Sequence, residues 1–191
     1  MSLRISSLTK KFGEKTILSK FSYDFSDKGI YAISGNSGIG KTTLLRIICG
    51  LDNDYEGEVI SSGGISVAFQ EYRLFSTLTA LENVLAAIEK PNKYDIIKAK
   101  ALLGRLGFTK GEMLLTPDKL SGGMKQRVSL ARAFMKESAI YLLDEATKEL
   151  DERLKFIVLD IIKEYSKERL VILITHDPED ISYLGAEEIK L

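Results

Sequence analysis

The stretch GNSGIGKT, residues 35–42, is the most informative part of this chain of 191 residues. It matches the pattern G-x-x-x-x-G-K-[ST], in which glycines let the backbone curl so that several N–H groups point at one anion. The apolar run GIYAIS (residues 29–34) before it predicts a buried strand, and the residues after it predict a helix. Since the positive end of such a helix also faces the anion, the sequence predicts a phosphate-binding loop in an α/β protein.

The residues of this loop have separate expected roles. Lys41 is expected to reach the β- and γ-phosphates of a nucleotide, and the hydroxyl of Thr42 to bind Mg²⁺. A chance match would lack both the full spacing and the flanking strand and helix, so we interpret the motif as a nucleotide site. The other residues predicted to bind the nucleotide here are Gly35, Asn36, Ser37, Gly38, Ile39, Gly40 and Thr43.

The run AIYLLDEA, residues 139–146, predicts a second buried strand, which ends in two carboxylates. Open α/β sheets bind their ligands at the carboxyl ends of the strands. Asp144 is therefore expected to hold Mg²⁺, and Glu145 to orient and polarise the attacking water. Because adjacent strand positions point to opposite sides, we expect the two carboxylates to face different ways and to have different roles.

A second candidate anion site lies in LSGGMKQR, residues 120–127. Ser121 is a natural N-cap, and Gly122 and Gly123 leave the first amides of the following helix unobstructed. A glycine inside a helix costs about 1 kcal/mol relative to alanine, so local helix stability does not require this pair. On these residues alone, an ordinary capped helix with a loose start stays open as an alternative.

The N-terminal part of the chain has the patterns of β-strands. The stretch EVISSGGISVAF (residues 58–69) predicts two strands around a Ser-Gly-Gly turn. The stretch ILSKFSYDF (residues 17–25) alternates, which predicts a half-buried antiparallel strand. The residues expected on the buried face of that strand are Ile17, Phe21, Tyr23 and Phe25.

The middle and the end of the chain complete an α/β pattern. Helical spacing begins at Thr79, is broken at Pro91 and resumes over residues 94–103, within a helical insertion at about 76–120. Residues 152–165 predict an amphipathic helix between the continuous apolar runs AIYLLD and LVILIT. Such runs are typical of a parallel sheet that is covered on both faces. The final AEEIKL predicts one more short strand.

The composition, 45% hydrophobic and 28% charged, is typical of one globular domain. The 27 basic residues balance the 27 acidic ones, so we expect no nucleic-acid partner. Its apolar runs are far shorter than the ~20 residues that span a bilayer, and its start lacks the apolar core of a signal peptide. With a single cysteine, Cys49, the chain has no disulfide framework. These features predict a cytoplasmic protein.

Together, GNSGIGKT, LSGGMKQR and IYLLDEA resemble the motifs of ABC ATPases, the nucleotide-binding subunits of ATP-binding-cassette transporters. The resemblance covers nearly the whole chain. It implies one domain, residues 1–191, that binds and hydrolyses ATP with Mg²⁺ as cofactor. The implied fold is a P-loop α/β core with a mostly parallel sheet, an N-terminal antiparallel β-subdomain and an inserted helical subdomain at about 76–135.

The resemblance also implies why one chain has two phosphate-binding devices. In this family two domains pack head to tail, and each ATP lies between the P-loop of one and the LSGGMKQR-type segment of the other. Ser121, Gly122 and Gly123 would then bind the γ-phosphate of the partner's nucleotide. ATP would favour the closed dimer, and hydrolysis would remove that preference.

Two kinds of partner follow from the resemblance. One is a second ATP-binding subunit, expected to be a copy of the same chain. The other is a separate transmembrane permease, which would hold the protein at the inner face of the cell membrane. In the family a short helix of the permease docks beside the region that corresponds to residues 70–85.

Four further residues match functional positions of the family. Phe12 stands where an aromatic ring stacks on adenine, although on spacing alone an apolar residue at the end of an edge strand stays open as an alternative. Gln70 resembles the glutamine that reaches toward Mg²⁺ and water. His176 resembles the histidine that contacts the γ-phosphate. Asp151 matches the aspartate of the loop that joins the two sites across the dimer.

The chain departs from the family pattern between its two matching acids, Glu145 and Asp151. Ala146 stands where the family usually has proline, and Lys148 and Glu149 stand where it has Ser-Ala. These bulkier, charged residues lie in the loop that is expected to cross the dimer interface. The detailed contacts of that loop should therefore differ from those of the family.

The first hypothesis is thus the ATP-hydrolysing subunit of a membrane transporter. The alternative is a soluble ABC-type ATPase that acts on DNA, chromosomes or ribosomes. Such relatives tend to have coiled-coil insertions, zinc modules or two cassettes in one chain, and this sequence has none of these. A membrane assembly for cell division or lipoprotein release fits the same motifs. A P-loop kinase would leave LSGGMKQR unexplained.

Overall fold

The computed structural model describes residues 3–191 as a mixed α/β structure with two sheets. Its strands are Leu3–Phe12 (β1), Lys15–Phe25 (β2), Gly29–Ser34 (β3), Glu56–Ser61 (β4), Ile65–Ala68 (β5), Ile140–Asp144 (β6), Leu170–Ile174 (β7) and Glu187–Lys190 (β8). Its α-helices are Lys41–Ile48 (α1), Ala80–Leu85 (α2), Lys93–Arg105 (α3), Gly122–Met135 (α4), Glu152–Ser166 (α5) and Pro178–Leu184 (α6). Two short 3₁₀ helices are Glu112–Leu114 and Pro117–Lys119.

The larger sheet is parallel, with the strand order β5-β6-β7-β3-β8. Every residue of β6 and β7 is buried, as the two continuous apolar runs predict. Alternate residues serve opposite faces. Tyr141 and Leu143 join the core formed with α3, α4 and α5, whereas Ile140 and Leu142 join the core formed with α1 and the smaller sheet. This two-sided burial explains why the strands have no polar alternation.

The carboxyl ends of four strands in this sheet lie at the same edge, because the strands are parallel. The chain continues into Gly35 after β3 and into Glu145 after β6. It leaves β5 through Phe69 into Gln70, and it leaves β7 through Thr175 into His176. The fold thereby gathers segments that are far apart in sequence at one edge, where α/β sheets bind their ligands.

The smaller sheet is antiparallel, with the order β2-β1-β4, and it corrects one prediction. Phe21, Tyr23 and Phe25 pack on the core as expected, and Ile17 packs against the same core, but the alternation between Ile17 and Phe21 is interrupted. Lys20 has a left-handed φ of 51°, and the pairing of β2 with β1 shifts register there. This bulge buries Leu18 in the same core, while Ile17 is half-buried beside the P-loop.

The two strands predicted around the Ser-Gly-Gly turn are present, but they do not form a hairpin. Strand β4 pairs with β1 in the antiparallel sheet, and β5 pairs with β6 in the parallel sheet. The turn therefore carries the chain from one sheet to the other. The two strands do not pair with each other, because β1 is available to β4 and the edge of β6 is available to β5.

Helices α2, α3 and α4 pack against one another, and their buried residues continue into the core beneath the parallel sheet. The predicted break at Pro91 is confirmed. Helix α2 ends at Leu85, and Asn92 begins α3 as an N-cap that accepts hydrogen bonds from the amides of Tyr94 and Asp95. Within residues 3–191, no helix combines the length and the apolar character that a membrane span requires.

Candidate functional site

The phosphate-binding loop has the geometry that its sequence predicts. Gly40 is the N-cap of α1 with a φ of 119°, a conformation that strains any residue with a Cβ atom. A Cβ atom at this position would also lie 2.5 Å from Cγ2 of Ile17. Helix α1 starts at Lys41, and the first amides of a helix have no partners within the helix. These amides and the helix dipole therefore face the loop.

The ammonium group of Lys41 lies over this loop. Its Nζ donates to the carbonyl oxygens of Gly35 at 2.8 Å and Asn36 at 2.9 Å. Beside it is a cavity of about 290 Å³. The predicted site residues that line this cavity are Phe12, Ser37, Gly38, Gly40, Lys41, Thr42, Thr43, Gln70, Asp144 and Glu145. Strand β1 and the carboxyl ends of β5 and β6 thus converge on the loop that follows β3.

Thr42 and Asp144 form the part of the site that suits Mg²⁺. The Thr42 hydroxyl donates to Oδ2 of Asp144 at 2.9 Å, and the Asp144 side chain is 1% exposed. Burial raises the pKa of Asp144, while the hydrogen bond from Thr42 lowers it. Burial disfavours the charged form of a carboxylate, and a nearby cation would stabilise that form. Hydroxyl and carboxylate oxygens are also the hard ligands that Mg²⁺ prefers.

Residues 3–191 contain no group of three or more His, Cys, Asp or Glu side chains arranged to hold a metal. Mg²⁺ does not need such a cage in nucleotide sites. It usually binds through one or two protein ligands, keeps several waters and takes its other ligands from substrate phosphates. The pair Thr42–Asp144 beside the phosphate loop fits that mode of binding.

Glu145 corrects the expectation that the two acids face opposite ways. Its φ is 51°, so the backbone turns directly after β6, and both Asp144 and Glu145 line the same cavity. Two hydrogen bonds hold this uncommon conformation. The Glu145 amide donates to the carbonyl of Ile174 at 3.0 Å, and Nε2 of Gln126 donates to the Glu145 carbonyl at 3.2 Å. Backbone strain of this kind is a feature of functional sites.

The Glu145 carboxylate has a neighbouring side chain at each of its oxygens. Nζ of Lys148 donates to Oε2 at 2.5 Å, and this contact raises the pKa of Lys148. Nδ1 of His176 lies 3.8 Å from Oε1. His176 itself is exposed and lines a neighbouring cavity of about 360 Å³, which Glu145 and Lys148 also border. Glu145 therefore stands between the two cavities.

A buried network supports the turn that presents His176. Asp180 is fully buried, and its Oδ2 accepts hydrogen bonds from the hydroxyls of Thr147 at 2.5 Å and Thr175 at 3.3 Å. Nζ of Lys155 forms an ion pair with Asp180 Oδ1 at 3.0 Å. The network joins the segment after β6, the end of β7 and helices α5 and α6. It fixes the backbone on both sides of the site.

Ser121 and Asp151 lie outside the cavity and act as helix caps within one chain. Ser121 caps α4 by accepting a hydrogen bond from the Met124 amide at 3.3 Å. Asp151 caps α5 by accepting from the Leu154 amide at 2.9 Å. Neither residue lines the cavity beside the P-loop. The structure thus brings together most of the predicted nucleotide-binding residues but leaves Asp151 and residues 121–123 apart from them.

The glycine pair of α4 has a tertiary reason that the sequence does not reveal. A Cβ atom on Gly123 would lie 2.7 Å from the backbone oxygen of Glu149, and one on Gly122 would lie 2.4 Å from Oε2 of the same residue. Tyr72 holds that carboxylate with a hydrogen bond at 2.6 Å. Burial and this hydrogen bond raise the pKa of Tyr72 to about 12. The glycines therefore let the loop of Glu149 pack directly on α4.

Several residues of the site were not predicted from the sequence. Gln126 and Lys148 contact the catalytic candidate Glu145, and Ile17 lines the cavity. Among these residues only Lys148 could have been noticed in the sequence, because Lys148 and Glu149 replace the small residues Ser-Ala that the family has before Asp151. The contacts of Gln126 depend on how α4 docks beside β6, which no local pattern reports.

This geometry defines a class of protein. A glycine loop at the start of a helix, a lysine over that loop and a Thr–Asp pair at a neighbouring strand end form the nucleotide site of a P-loop NTPase. Residues 18–148 match the ABC transporter family. The chain belongs to this family, and it is an ATP-binding subunit with ATPase function.

Relatives and solved structures agree with this assignment. The chain is 36% identical over 204 residues to the aliphatic sulfonates import ATP-binding protein SsuB of Bacillus thuringiensis subsp. konkukian (strain 97-27), covering 97% of this chain and 79% of the relative. It is 36% identical over 199 residues to the L-cystine import ATP-binding protein TcyC of Bacillus subtilis (strain 168), covering 92% and 80%. Both are import subunits by name.

The fold is similar to the dimeric post-hydrolysis structure of the ATP-binding cassette MJ0796 bound to ADP and Pi. The TM-score is 0.86 at 26% identity, covering 99% of this chain and 94% of the other. The dimeric structure of MJ0796, a bacterial ABC transporter cassette, also gives 0.86 at 27% identity, covering 98% and 94%. The predicted family, fold class and ATPase function are confirmed.

Proposed function

We propose that two copies of this chain close around two MgATP and reopen after hydrolysis, and that this cycle drives a membrane importer through a separate permease. The importer direction is supported by the names of the relatives, which are import subunits. The dimer is supported by the dimeric cassettes of similar fold. The permease would hold the protein at the inner, cytoplasmic face of the membrane.

The observation that supports the dimer most is the separation of two phosphate-binding devices. Lys41, Thr42 and Asp144 share a cavity, whereas Ser121 begins a helix outside it. The capped start of α4 has glycines at its first two positions, so it can approach a phosphate from another chain. One chain alone supplies half of each proposed site, and the partner's α4 supplies the other half.

The charged and polar residues around the cavity have proposed roles in hydrolysis. Lys41 and the first amides of α1 bind the β- and γ-phosphates and neutralise charge that develops on them. Glu145 orients and polarises the attacking water, and Gln70 and His176 lie at the carboxyl ends of β5 and β7 on either side of it. Mg²⁺, held by Thr42 and Asp144, would supply charge neutralisation for the phosphates.

Glu145 has to exchange contacts before it can act on water. In the open chain its Oε2 accepts from Lys148, and Oε1 faces His176. We infer that closure moves the loop of Lys148 and Glu149, since this loop also carries Asp151, the residue proposed to link the two sites. The carboxylate is then free to accept a hydrogen bond from water.

The segment proposed to meet the permease is well anchored and partly apolar. Phe75 exposes 55% of its side chain. Arg132 donates to the carbonyls of Arg73 at 2.7 Å and Tyr72 at 2.9 Å, which ties the segment to α4. Because Arg132 lies in the last turn of α4, a force on this segment would reach Gln70 directly and would reach the proposed ATP contacts at the start of α4 along that helix.

The decisive experiment is ATP-dependent dimerisation of the full chain with Glu145→Gln. This variant should hydrolyse ATP at least about 100-fold more slowly, because general-base assistance is lost, and it should elute as a dimer with MgATP but not with MgADP. Adding Ser121→Arg should abolish the dimer while each chain still binds ATP. Ser182→Arg, on the exposed face of α6, is the matched control and should dimerise normally. A dimer that persists with Ser121→Arg would reject the proposal.

The family assignment favours this proposal over a soluble ATPase that acts on DNA, chromosomes or ribosomes. Purification of the native complex from membranes tests the difference. A copurified permease whose removal releases the protein supports the importer. Copurification with ribosomes or DNA, and recovery outside the membrane fraction, would contradict it.

A further inference from the structure

Lys10 is an unusual residue outside the catalytic centre. Among residues 3–191 it is the buried lysine, with 2% of its side chain exposed, and the proposed hydrolysis does not use it. Lys10 lies near the end of β1, two residues before Phe12 and next to a shift in the pairing of β1 with β2. Nζ of Lys10 lies 4.8 Å from the centroid of the Phe12 ring, within the range of a cation–π contact.

Three acceptors fix the ammonium group in this position. They are Asp52 Oδ1 at 2.9 Å, the Asp54 carbonyl at 2.5 Å and Asp54 Oδ2 at 3.3 Å. Because an ammonium has three N–H donors, these contacts use all of them. The hydrogen bond to Asp52 is the main cause that raises the pKa of Lys10, and burial opposes it. Lys10 is therefore charged at neutral pH and cannot easily turn away.

The same contacts connect the ring to the helix of the phosphate loop. Asp52 lies four residues after the end of α1, and its amide donates to the carbonyl of Arg46 in the last turn of that helix at 3.2 Å. Helix α1 begins at Lys41, in the phosphate-binding loop. A chain of contacts thus runs from Phe12 through Lys10 and Asp52 to the helix that binds the phosphates.

We propose that Lys10 is a positioning residue for the base of the nucleotide: it holds one face of the Phe12 ring at a set distance from the phosphate loop and leaves the other face for adenine. The inference rests on the proposed role of Phe12. The Phe12 ring is 54% exposed and lines the cavity beside the P-loop, so a face is available to a ligand. The cation also draws electron density from the ring, which reduces repulsion with an electron-rich purine.

The test compares a ligand that has a base with one that lacks it. ADP and pyrophosphate are titrated into the full chain by calorimetry, so no turnover interferes. Lys10→Met should weaken ADP binding about two- to five-fold, the usual size of an exposed cation–π contact, and should leave pyrophosphate binding unchanged. Lys10→Arg keeps the cation and should retain most of the ADP affinity. Circular dichroism verifies that each variant is folded.

A double-mutant cycle shows whether Lys10 acts through the ring. Phe12→Leu should weaken ADP binding, and Lys10→Met should then add nothing further. Equal losses for ADP and pyrophosphate, or additive effects of the two substitutions, would overturn the inference. If Phe12→Leu leaves ADP binding unchanged, the proposed contact between Phe12 and adenine is wrong. That result differs from equal losses for the two ligands and from additive effects, which would reject the role of Lys10.

A second variant keeps the test valid if Lys10→Met does not fold. Asp52→Asn leaves Lys10 charged but loosens one of its three contacts, at a side chain that is partly exposed. It should weaken ADP binding by a smaller factor, again without an effect on pyrophosphate. Unchanged ADP affinity in a folded Asp52→Asn protein would count against a positioning role.

Discussion

The network around Asp180 allows a prediction whose size follows from its contacts. Asp180 is completely buried between the hydroxyls of Thr147 and Thr175 and the ammonium group of Lys155. In Asp180→Asn the amide oxygen can still accept from the two hydroxyls. Its NH₂ group must then face Lys155, so a donor meets a donor and the charge of the pair is lost.

Removal of one partner from a buried ion pair costs about 3–5 kcal/mol when the other charge is stranded. Lys155 is not stranded, since it also contacts Asp177 at 2.6 Å and Glu179 at 2.7 Å. Burial lowers the pKa of Lys155, but its three carboxylate partners raise it by more. We therefore expect Asp180→Asn to lower the free energy of unfolding by about 2–3 kcal/mol, a large share of the 5–15 kcal/mol that is typical of a domain.

Urea unfolding followed by far-UV circular dichroism measures this change, because the chain has no tryptophan. Glu179→Gln is the matched control. It removes the same charge from the same lysine, but at a side chain that is 61% exposed, where ion pairs contribute about 0–1 kcal/mol. The reasoning is wrong if Asp180→Asn and Glu179→Gln destabilise the protein equally.

Three more predictions follow from other contacts. Gly123→Ala should impair folding or displace the loop of Glu149, since the new Cβ atom would lie 2.7 Å from a backbone oxygen; a crystal structure with the loop unmoved and unchanged urea stability would refute this. The hydrogen bond from Lys10 lowers the pKa of Asp52, so its stabilising effect is complete above the unfolded pKa of about 3.9 and is lost as pH falls toward the folded value. Urea midpoints from pH 6 to pH 3 should therefore fall more steeply for the native chain than for Asp52→Asn, and parallel curves would contradict the assignment. Asn83→Leu should cost about 2–4 kcal/mol in urea unfolding, because buried Asn83 satisfies the Phe75 amide and three backbone carbonyls; a loss below 1 kcal/mol would refute it.

Much of the site was predictable because it is contiguous in sequence. The phosphate loop needs glycines, a lysine and a hydroxyl at set intervals between a strand and a helix. The sequence of residues 35–42 is therefore enough to predict the conformation of the loop. The apolar runs of β6 and β7 likewise predict burial on both faces. The capping residue Asn92 and the helix over Glu152–Ser166 follow equally local patterns.

The contacts made between distant segments were not predictable in the same way. The alternation over residues 17–25 suggested one continuous face, but the bulge at Lys20 interrupts the alternation and buries Leu18 as well. The two acids after β6 were expected on opposite sides, but the turn at Glu145 placed both in the cavity. Each difference depends on a partner far along the chain, here the pairing with β1 and the hydrogen bond from Gln126.

The phosphate loop, the parallel-sheet strands and the family could be predicted from the amino-acid sequence, because periodicity and motif spacing describe a few neighbouring residues at a time. Three features are visible only in the folded chain: β4 and β5 join different sheets, the glycines of α4 lie against Glu149, and Lys10 is buried beside Phe12. These features depend on which surfaces meet when the chain is compact. Packing and desolvation set them, and a charged residue such as Lys10 is buried only because folding brings two aspartates to it.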